Sequence, residues 1–309
     1  MIVVVNKKSG GGTAFKKWKR LSKILKLGNG STKIIYVGEN GFNKNFVKDA
    51  LSIRNTNFVI AGGDGTINHF LNFLISTVKP EILKNIRIGA VGIGSSNDFH
   101  KPYRKESFIE HIPVKLNFKD AVYRDIGCLQ FKKNGTLHKK YFLINASIGI
   151  TAEGNNFFNN PDTFLKILKR INTQSAITYA AIKNIFAYKN FNALIECNGL
   201  SCEANISNMG IIKCPYFTGK LRYQSEPEIN NGLFDVHLYQ SLSKAKLIKL
   251  FYNLSKGIPD NSFNKLFCRT DRVKISSEKE FAVEYDGEVI TTKSVVFYVM
   301  LKLIKVCIN

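Results

Sequence analysis

Phe58-Val-Ile-Ala-Gly-Gly-Asp-Gly-Thr-Ile-Asn68 is the stretch whose reading decides the fold. Residues 58–61 read as a short buried strand. Gly62, Gly63, Asp64, Gly65 and Thr66 form a turn. Ile67, Phe70, Leu71 and Leu74 then recur at helical spacing. A glycine-rich turn therefore joins a strand to a helix N-terminus. The first N–H groups of a helix have no partner within it, and the helix dipole adds positive potential there. Such a turn suits phosphate. Glycine lets the backbone approach a ligand closely. Asp64 places a carboxylate beside the phosphates, where it can hold Mg²⁺ directly or through water. The same residues also make an ordinary Asp-Gly turn, and spacing alone does not separate the two.

The pattern extends on both sides. Residues 2–5 read as a buried strand, followed by a second glycine-rich turn, Asn6-Lys-Lys-Ser-Gly-Gly-Gly12. Phe15, Trp18, Leu21, Ile24 and Leu25 mark an amphipathic helix. Lys33–Val37 is a short strand and 45–53 a helix. Residues 87–91 form another strand, ending in Gly92-Ile-Gly-Ser-Ser-Asn-Asp-Phe99. Strands alternating with helices predict an α/β domain built on a parallel, Rossmann-like sheet. Ligands bind beyond the carboxyl ends of such strands, so the three polar loops can share one site.

The character changes near Asp120. Residues 122–131 and 137–150 are strand-like and joined across Lys133-Asn-Gly135, a hairpin signal. Asn198-Gly199 marks another. Phe234, Val236 and Leu238 alternate with Asp235, His237 and Tyr239, and Phe281, Val283 and Tyr285 repeat the pattern. Helical stretches fall at 163–170, 175–187 and 243–255, with Ser243 as N-cap. The second half is read as a β-rich, antiparallel, sandwich-like domain with a few helices. The expected domains are 1–118 and 119–290, with a tail at 291–309. The aromatic residues Phe157, Phe158, Phe164, Tyr179, Phe186 and Tyr188 either line an apolar access cleft or pack a core.

The chain has 309 residues, enough for two domains, and 44% are apolar. Lysine and arginine number 45 against 23 acidic residues, a net +22. That excess favours a polyanionic partner: nucleotide, nucleic acid or an anionic membrane surface. No helix-turn-helix, zinc or RNA-recognition signature supports nucleic acid. The six cysteines form no Cys-x-x-Cys pair, as in a chain with reduced thiols. No apolar run reaches spanning length. The expected location is cytoplasmic, peripheral to the inner face of the membrane.

Four motifs in order resemble one family. Gly62-Gly-Asp-Gly-Thr66 is similar to the nucleotide-binding signature of the diacylglycerol kinase and sphingosine kinase catalytic domain. Asn6-Lys-Lys-Ser-Gly10 resembles the opening Asn-Pro-x-Ser-Gly of those lipid kinases. Gly94-Ser-Ser-Asn-Asp-Phe99 resembles their Gly-Thr-x-Asn-Asp-Phe, and Asp286-Gly-Glu288 their C-terminal Asp-Gly-Glu. Order and spacing fit the bacterial soluble type over nearly the whole chain.

The resemblance implies a nucleotide domain and a lipid domain with the active site between them, and a C-terminal tail returning to the first. It implies ATP and Mg²⁺ as cofactors and a lipid such as diacylglycerol or a sphingoid base as acceptor. Asn6, Lys7, Lys8, Ser9, Gly10, Gly62, Gly63, Asp64, Gly65, Thr66, Asn68, Ser95 and Asn97 are the expected nucleotide contacts. Asp64, Asp98 and Asp286 are the expected metal ligands, and Glu288 the general base, with Asp64, Asp98 and Asp286 beside it in the catalytic set. Asp286-Gly287 is also a hairpin signal in its own right. Lys7 stands where the family has proline. Asn231 stands where many bacterial members have an aspartate holding a structural Mg²⁺, and an amide is the weaker ligand. The expected partners are the lipid alcohol, a transient anionic membrane surface and no nucleic acid, with a homodimer open. The rival readings are a small-alcohol kinase of the NAD kinase type and a basic nucleic-acid-binding protein. No Asn-Glu pair of the kind NAD kinases use for ribose occurs in the chain.

Overall fold

A computed structural model describes residues 1–10, 13–25, 32–37, 42, 56–259 and 264–308. The helix expected at 45–53, and Gly11 and Gly12 of the first loop, lie outside them. The chain divides into two units, Met1–Asp125 with Leu301–Asn309, and Ile126–Met300. The sequence reading puts divisions at 118/119 and 290/291. Strands run through both positions, so no loop marks them: Asn117–Lys133 crosses the first and Glu288–Ile308 the second.

In the first unit, β1 (Ile2–Asn6), β2 (Lys33–Val37), β3 (Asn57–Gly62) and β4 (Arg87–Gly92) lie in the order β2-β1-β3-β4, all parallel. Ile2, Val3, Val4 and Val5 are all fully buried. A continuous apolar run of this kind marks a strand covered on both faces. The helix Ala14–Ile24 packs Ala14, Trp18 and Leu21 against Val3, Val5, Val59, Ala61 and Val91. The helix Asp64–Thr77 buries Ile67, Phe70, Leu71 and Leu74. A small hairpin of β5 (Phe108–Ile109) and β6 (Ile112–Lys115) adds β6 antiparallel to β4. The end of the chain also joins this unit, pairing Lys305 with Arg87 and Val306 with Ile88 in parallel. The β3–β4 register pairs Gly62 with Gly92, so the two glycine loops leave the sheet side by side.

The second unit is antiparallel. After β7 (Asn117–Lys133) come β8 (Thr136–Phe142), β9 (Asn145–Gly149), β10 (Phe191–Cys197), β11 (Leu200–Ile212), β12 (Tyr216–Phe217), β13 (Leu221–Arg222), β14 (Phe234–Gln240), β15 (Lys265–Thr270), β16 (Arg272–Tyr285) and β17 (Glu288–Ile308). The order is β15-β14-β11-β10-β16-β17, with β9 pairing both β11 and β16. Three two-residue turns carry the hairpins, with positive φ at both positions: Asn134-Gly135, Asn198-Gly199 and Asp286-Gly287. That backbone matches the twist of the flanking strands. Phe142, Phe234 and Phe297 meet in the core, with ring centroids 5.8 and 6.2 Å apart.

The expected strand over 137–150 is two strands, broken at Leu143 and Ile144. It ends at Gly149, whose φ of 92° turns the chain into a helix, Ile150–Asn159, that the strand reading overlooks. The helices Thr163–Ile171, Thr173–Ala187 and Lys244–Lys256 follow the sequence signals. Asp162 caps the first of these through Leu165 N, and Ser243 caps the last through Lys246 N. No helix among the described residues is long and apolar enough to cross a membrane.

His100 and His237 are buried in the two units. Burial, aided by Lys115 and by Lys265 respectively, pushes each down to about 3. The unfolded chain takes up these protons near pH 6.5, while the folded chain resists until about pH 3. Stability is therefore fully present above pH 6.5 and falls on acidification through that window, by up to about 1.4 kcal/mol per pH unit for each histidine. Urea midpoints measured from pH 7 down to pH 4.5 should fall, and a His100→Asn/His237→Asn variant should fall less steeply. Equal slopes would remove the two histidines as the cause.

Candidate functional site

The first cluster lies where β1, β3 and β4 end. Asn6 Nδ2 donates to Thr66 Oγ1 at 3.0 Å, and the Ser9 and Thr66 hydroxyls are 3.2 Å apart. The first loop is thereby tied to the start of the Asp64–Thr77 helix. Thr66 N closes that helix start onto Gly63 O. The glycines are required by close approach. A Cβ on Gly62 would lie 2.5 Å from the Thr66 side chain, and one on Gly94 would lie 2.4 Å from Gly63 Cα. Real Cβ atoms do not come that near another atom, so Gly62 is required by the Thr66 side chain and Gly94 by the approach of its loop to Gly63.

Two side chains lock the third loop. Asn97, at φ 53°, accepts from Gly94 N at 3.1 Å and donates to Gly92 O and Gly94 O at 3.2 Å each. Asp64 Oδ2 accepts from Asp98 N and Oδ1 from Phe99 N, both at 3.0 Å. Asp98 in turn holds the nearly buried Lys101 ammonium at 2.7 Å. The two carboxylates also act on Tyr103, whose hydroxyl is pushed up to about 12 by burial first, then by Asp98 and Asp64.

The structure thus gathers Asn6, Ser9, Gly62, Gly63, Asp64, Thr66, Asn97 and Asp98 into one network, with Gly10 against Ile93 O. Gly65 lies in the first helical turn, and Ser95 is exposed at the tip of the third loop. Lys7 lies over the Tyr36 and Phe15 rings, 4.2 and 4.9 Å from their centroids. Lys8 is exposed, while its amide donates to Asn6 Oδ1. Asn68 is buried one turn into the helix and accepts from Asn72.

The second cluster lies in the second unit, at the β16–β17 turn. Asp286 is 5% exposed and accepts from three consecutive amides: Leu143 N at 2.7 Å, Ile144 N at 2.9 Å and Asn145 N at 3.1 Å. Its own amide donates to Asn145 O. Those amides belong to the break between β8 and β9, so the carboxylate replaces the ladder bonds the break interrupts. Glu284 is buried beside it and accepts from Ser147 Oγ and Gly287 N, both at 2.7 Å. Glu288 opens β17 opposite Tyr285, half-buried. The Tyr285 hydroxyl is held well above its ordinary range by burial first, then by Glu288, Asp286 and Glu284. Sequence reasoning overlooked Glu284, Ser147 and Lys101. The signal for Glu284 was an acid flanked by Val283 and Tyr285 in a strand, which alternation assigns to solvent.

Asn231 sits in a third arrangement. The ammonium of Lys213, on a fully buried residue, donates to Glu228 O at 2.7 Å, Leu233 O at 2.9 Å and Asn231 Oδ1 at 3.3 Å. A lysine head therefore lies among the oxygens of the 228–233 loop. Among the described residues, no three His, Cys, Asp or Glu side chains group as metal ligands. Asp64, Asp98 and Asp286, the ligands expected from sequence, already accept from amides or an ammonium.

The chain is similar to known proteins in sequence and in fold. Residues 1–118 match the diacylglycerol kinase catalytic domain. Over 232 residues the chain is 22% identical to the diacylglycerol kinase of Bacillus subtilis (strain 168), covering 74% of this chain and 70% of that one. Two crystal structures from Bacillus anthracis str. Sterne share the fold over the whole of this chain. One, assigned as a diacylglycerol kinase, is 17% identical with a TM-score of 0.71 over 94% of its length. Another diacylglycerol kinase is 14% identical with a TM-score of 0.65 over 96%. Residues 1–118 are thus similar to the catalytic domain of diacylglycerol kinases, phosphotransferases with an alcohol group as acceptor, and the similarity to a curated diacylglycerol kinase runs beyond that domain.

Two substitutions probe these clusters through stability. Asp286→Ala strands three amides, so chemical denaturation should show a loss of roughly 3 kcal/mol or more. Lys213→Met leaves the loop oxygens without their donor and should cost about 2–4 kcal/mol. Losses below about 1 kcal/mol would mean water satisfies these groups as well as the side chains do.

Proposed function

We propose that this protein transfers the γ-phosphoryl group of ATP to the hydroxyl of a lipid alcohol, of which diacylglycerol and sphingoid bases are the leading candidates. The observation that carries the reading is the convergence of three loops on the start of the Asp64–Thr77 helix, held there by Asp64 and Thr66. Backbone amides at a helix start, with no Cβ on Gly62, Gly63 or Gly94, suit a polyphosphate. The position of this cluster within residues 1–118 adds support.

In this reading Asn6, Ser9, Gly10, Gly62, Gly63, Gly65, Thr66, Ser95 and Asn97 contact or shape the phosphate site. Asp64 and Asp98 set the loop positions. Lys8 is an exposed cation on the first loop, and Lys7 steers from its aromatic seat. Asn68 supports the helix from inside. Mg²⁺ enters with ATP and neutralises phosphate charge when bound. Glu288 accepts the proton of the attacking hydroxyl, and Asp286 and Glu284 fix the turn that presents it. The lipid acceptor and the +22 charge together favour a transient stay at an anionic membrane surface, at its cytoplasmic face.

The test is incubation of the protein with labelled ATP, Mg²⁺ and a panel of diacylglycerol, monoacylglycerol, sphingosine, ceramide and polyprenol. Label should appear in one lipid product. Glu288→Gln should lower kcat by roughly 10²–10⁴-fold with little change in apparent ATP affinity, since the amide keeps the shape and cannot accept a proton. Label in no lipid would sink the acceptor class, and an unchanged chemical step in Glu288→Gln would remove Glu288 as the base.

A further inference from the structure

The helix Thr163–Ile171 exposes an apolar stripe that the site does not use. Phe164, Ile167 and Ile171 are 53%, 49% and 75% exposed. Spacings of three and four put all three on one side of the helix. Weak packing does not explain this exposure. Leu165 is fully buried against Ala176 and Ala180, and Asp162 caps the helix while pairing with Lys183 at 2.6 Å. The helix is held by one face and offers another to solvent.

The surrounding charge is mainly positive, with Asp162 at the helix start already paired with Lys183. Residues 163–190 contain Lys166, Lys169, Arg170, Lys183 and Lys189 and no acidic side chain. Lys166 and Arg170 are exposed beside the stripe. Two copies of this face would repel each other. A nucleic acid would find the cations but give the apolar stripe nothing to bury in. An anionic bilayer satisfies both, since acyl chains take the stripe and headgroups the cations. Nine residues span only about 13 Å, so the helix would lie in the interface plane and not cross it.

We propose that the Thr163–Ile171 helix is the membrane-docking element of this protein, seated on an anionic lipid surface through Phe164, Ile167 and Ile171. This rests on the reading of the acceptor as a membrane lipid, and it names where the protein meets that membrane.

The test compares the full chain with Ile167→Asn/Ile171→Asn, a pair that leaves charge unchanged and spares Phe164, which touches Tyr179. Co-sedimentation is measured without nucleotide, on phosphatidylcholine vesicles with and without phosphatidylglycerol. Kinase turnover is measured separately on a short-chain, detergent-dispersed acceptor. The wild-type chain should bind the anionic vesicles, and the variant about ten-fold more weakly, with turnover on the dispersed acceptor kept. Equal vesicle binding by the two proteins would overturn the proposal. So would a wild-type dimer that the substitutions split while vesicle binding stays the same, or tight wild-type binding to nucleic acid with none to vesicles. Weakened vesicle binding in the variant, with no turnover of any acceptor by either protein, would support the docking helix and sink the kinase reading instead.

Discussion

One carboxylate holds two strand ends in register. Asp64 stands at the start of a helix and takes the amides of Asp98 and Phe99 from the loop after the neighbouring strand. The Gly62–Gly92 pairing brings these loops alongside, but parallel pairing alone does not stop them splaying beyond the sheet. Asp64 does, and its charge is also favoured at a helix N-terminus. The contact of Gly94 with Gly63 follows from this clamp, as does the use of Asn97 in a left-handed conformation to close the third loop.

The second unit repeats the device in antiparallel form. Asp286 sits at a hairpin tip in a backbone conformation suited to Asn, Asp or Gly, and its carboxylate gathers three amides from a break between two strands. Glu284 does the same with a hydroxyl and the next amide of the turn. Both residues would be called candidate chemistry from composition alone. In the structure Asp286 first satisfies buried N–H groups that no ladder reaches, which is the obligation of any broken strand inside a core, and Glu284 holds a buried hydroxyl and the turn amide. Glu288 lies in the same turn, so the rigidity of the tip is set by its two neighbours.

Much of this was legible in the sequence. The Ile2–Asn6 and Asn57–Gly62 strands announced themselves as unbroken apolar runs, and the Asn-Gly and Asp-Gly turns named three hairpins through backbone conformations few residues accept. Less legible was anything that depends on partners distant in the chain. Asp286 and Leu143 are 143 positions apart, and no local pattern couples them. The break at Leu143 and Ile144 was invisible because its residues are as apolar as a strand. The positions 118/119 and 290/291 carry no turn residues to mark them, since strands pass through both. Lys213 was unreadable in another way: a buried ammonium needs oxygens supplied by a loop 15 to 20 residues further on.

That lysine alters what the 228–233 loop requires of its surroundings. A loop organised by a dissolved divalent ion is populated only as far as the ion's concentration and affinity allow, and it loosens when a chelator removes the ion. Here the cation is covalently attached, so its local concentration is set by the chain and cannot be diluted. The three hydrogen bonds that Lys213 gives this loop therefore do not themselves draw on magnesium.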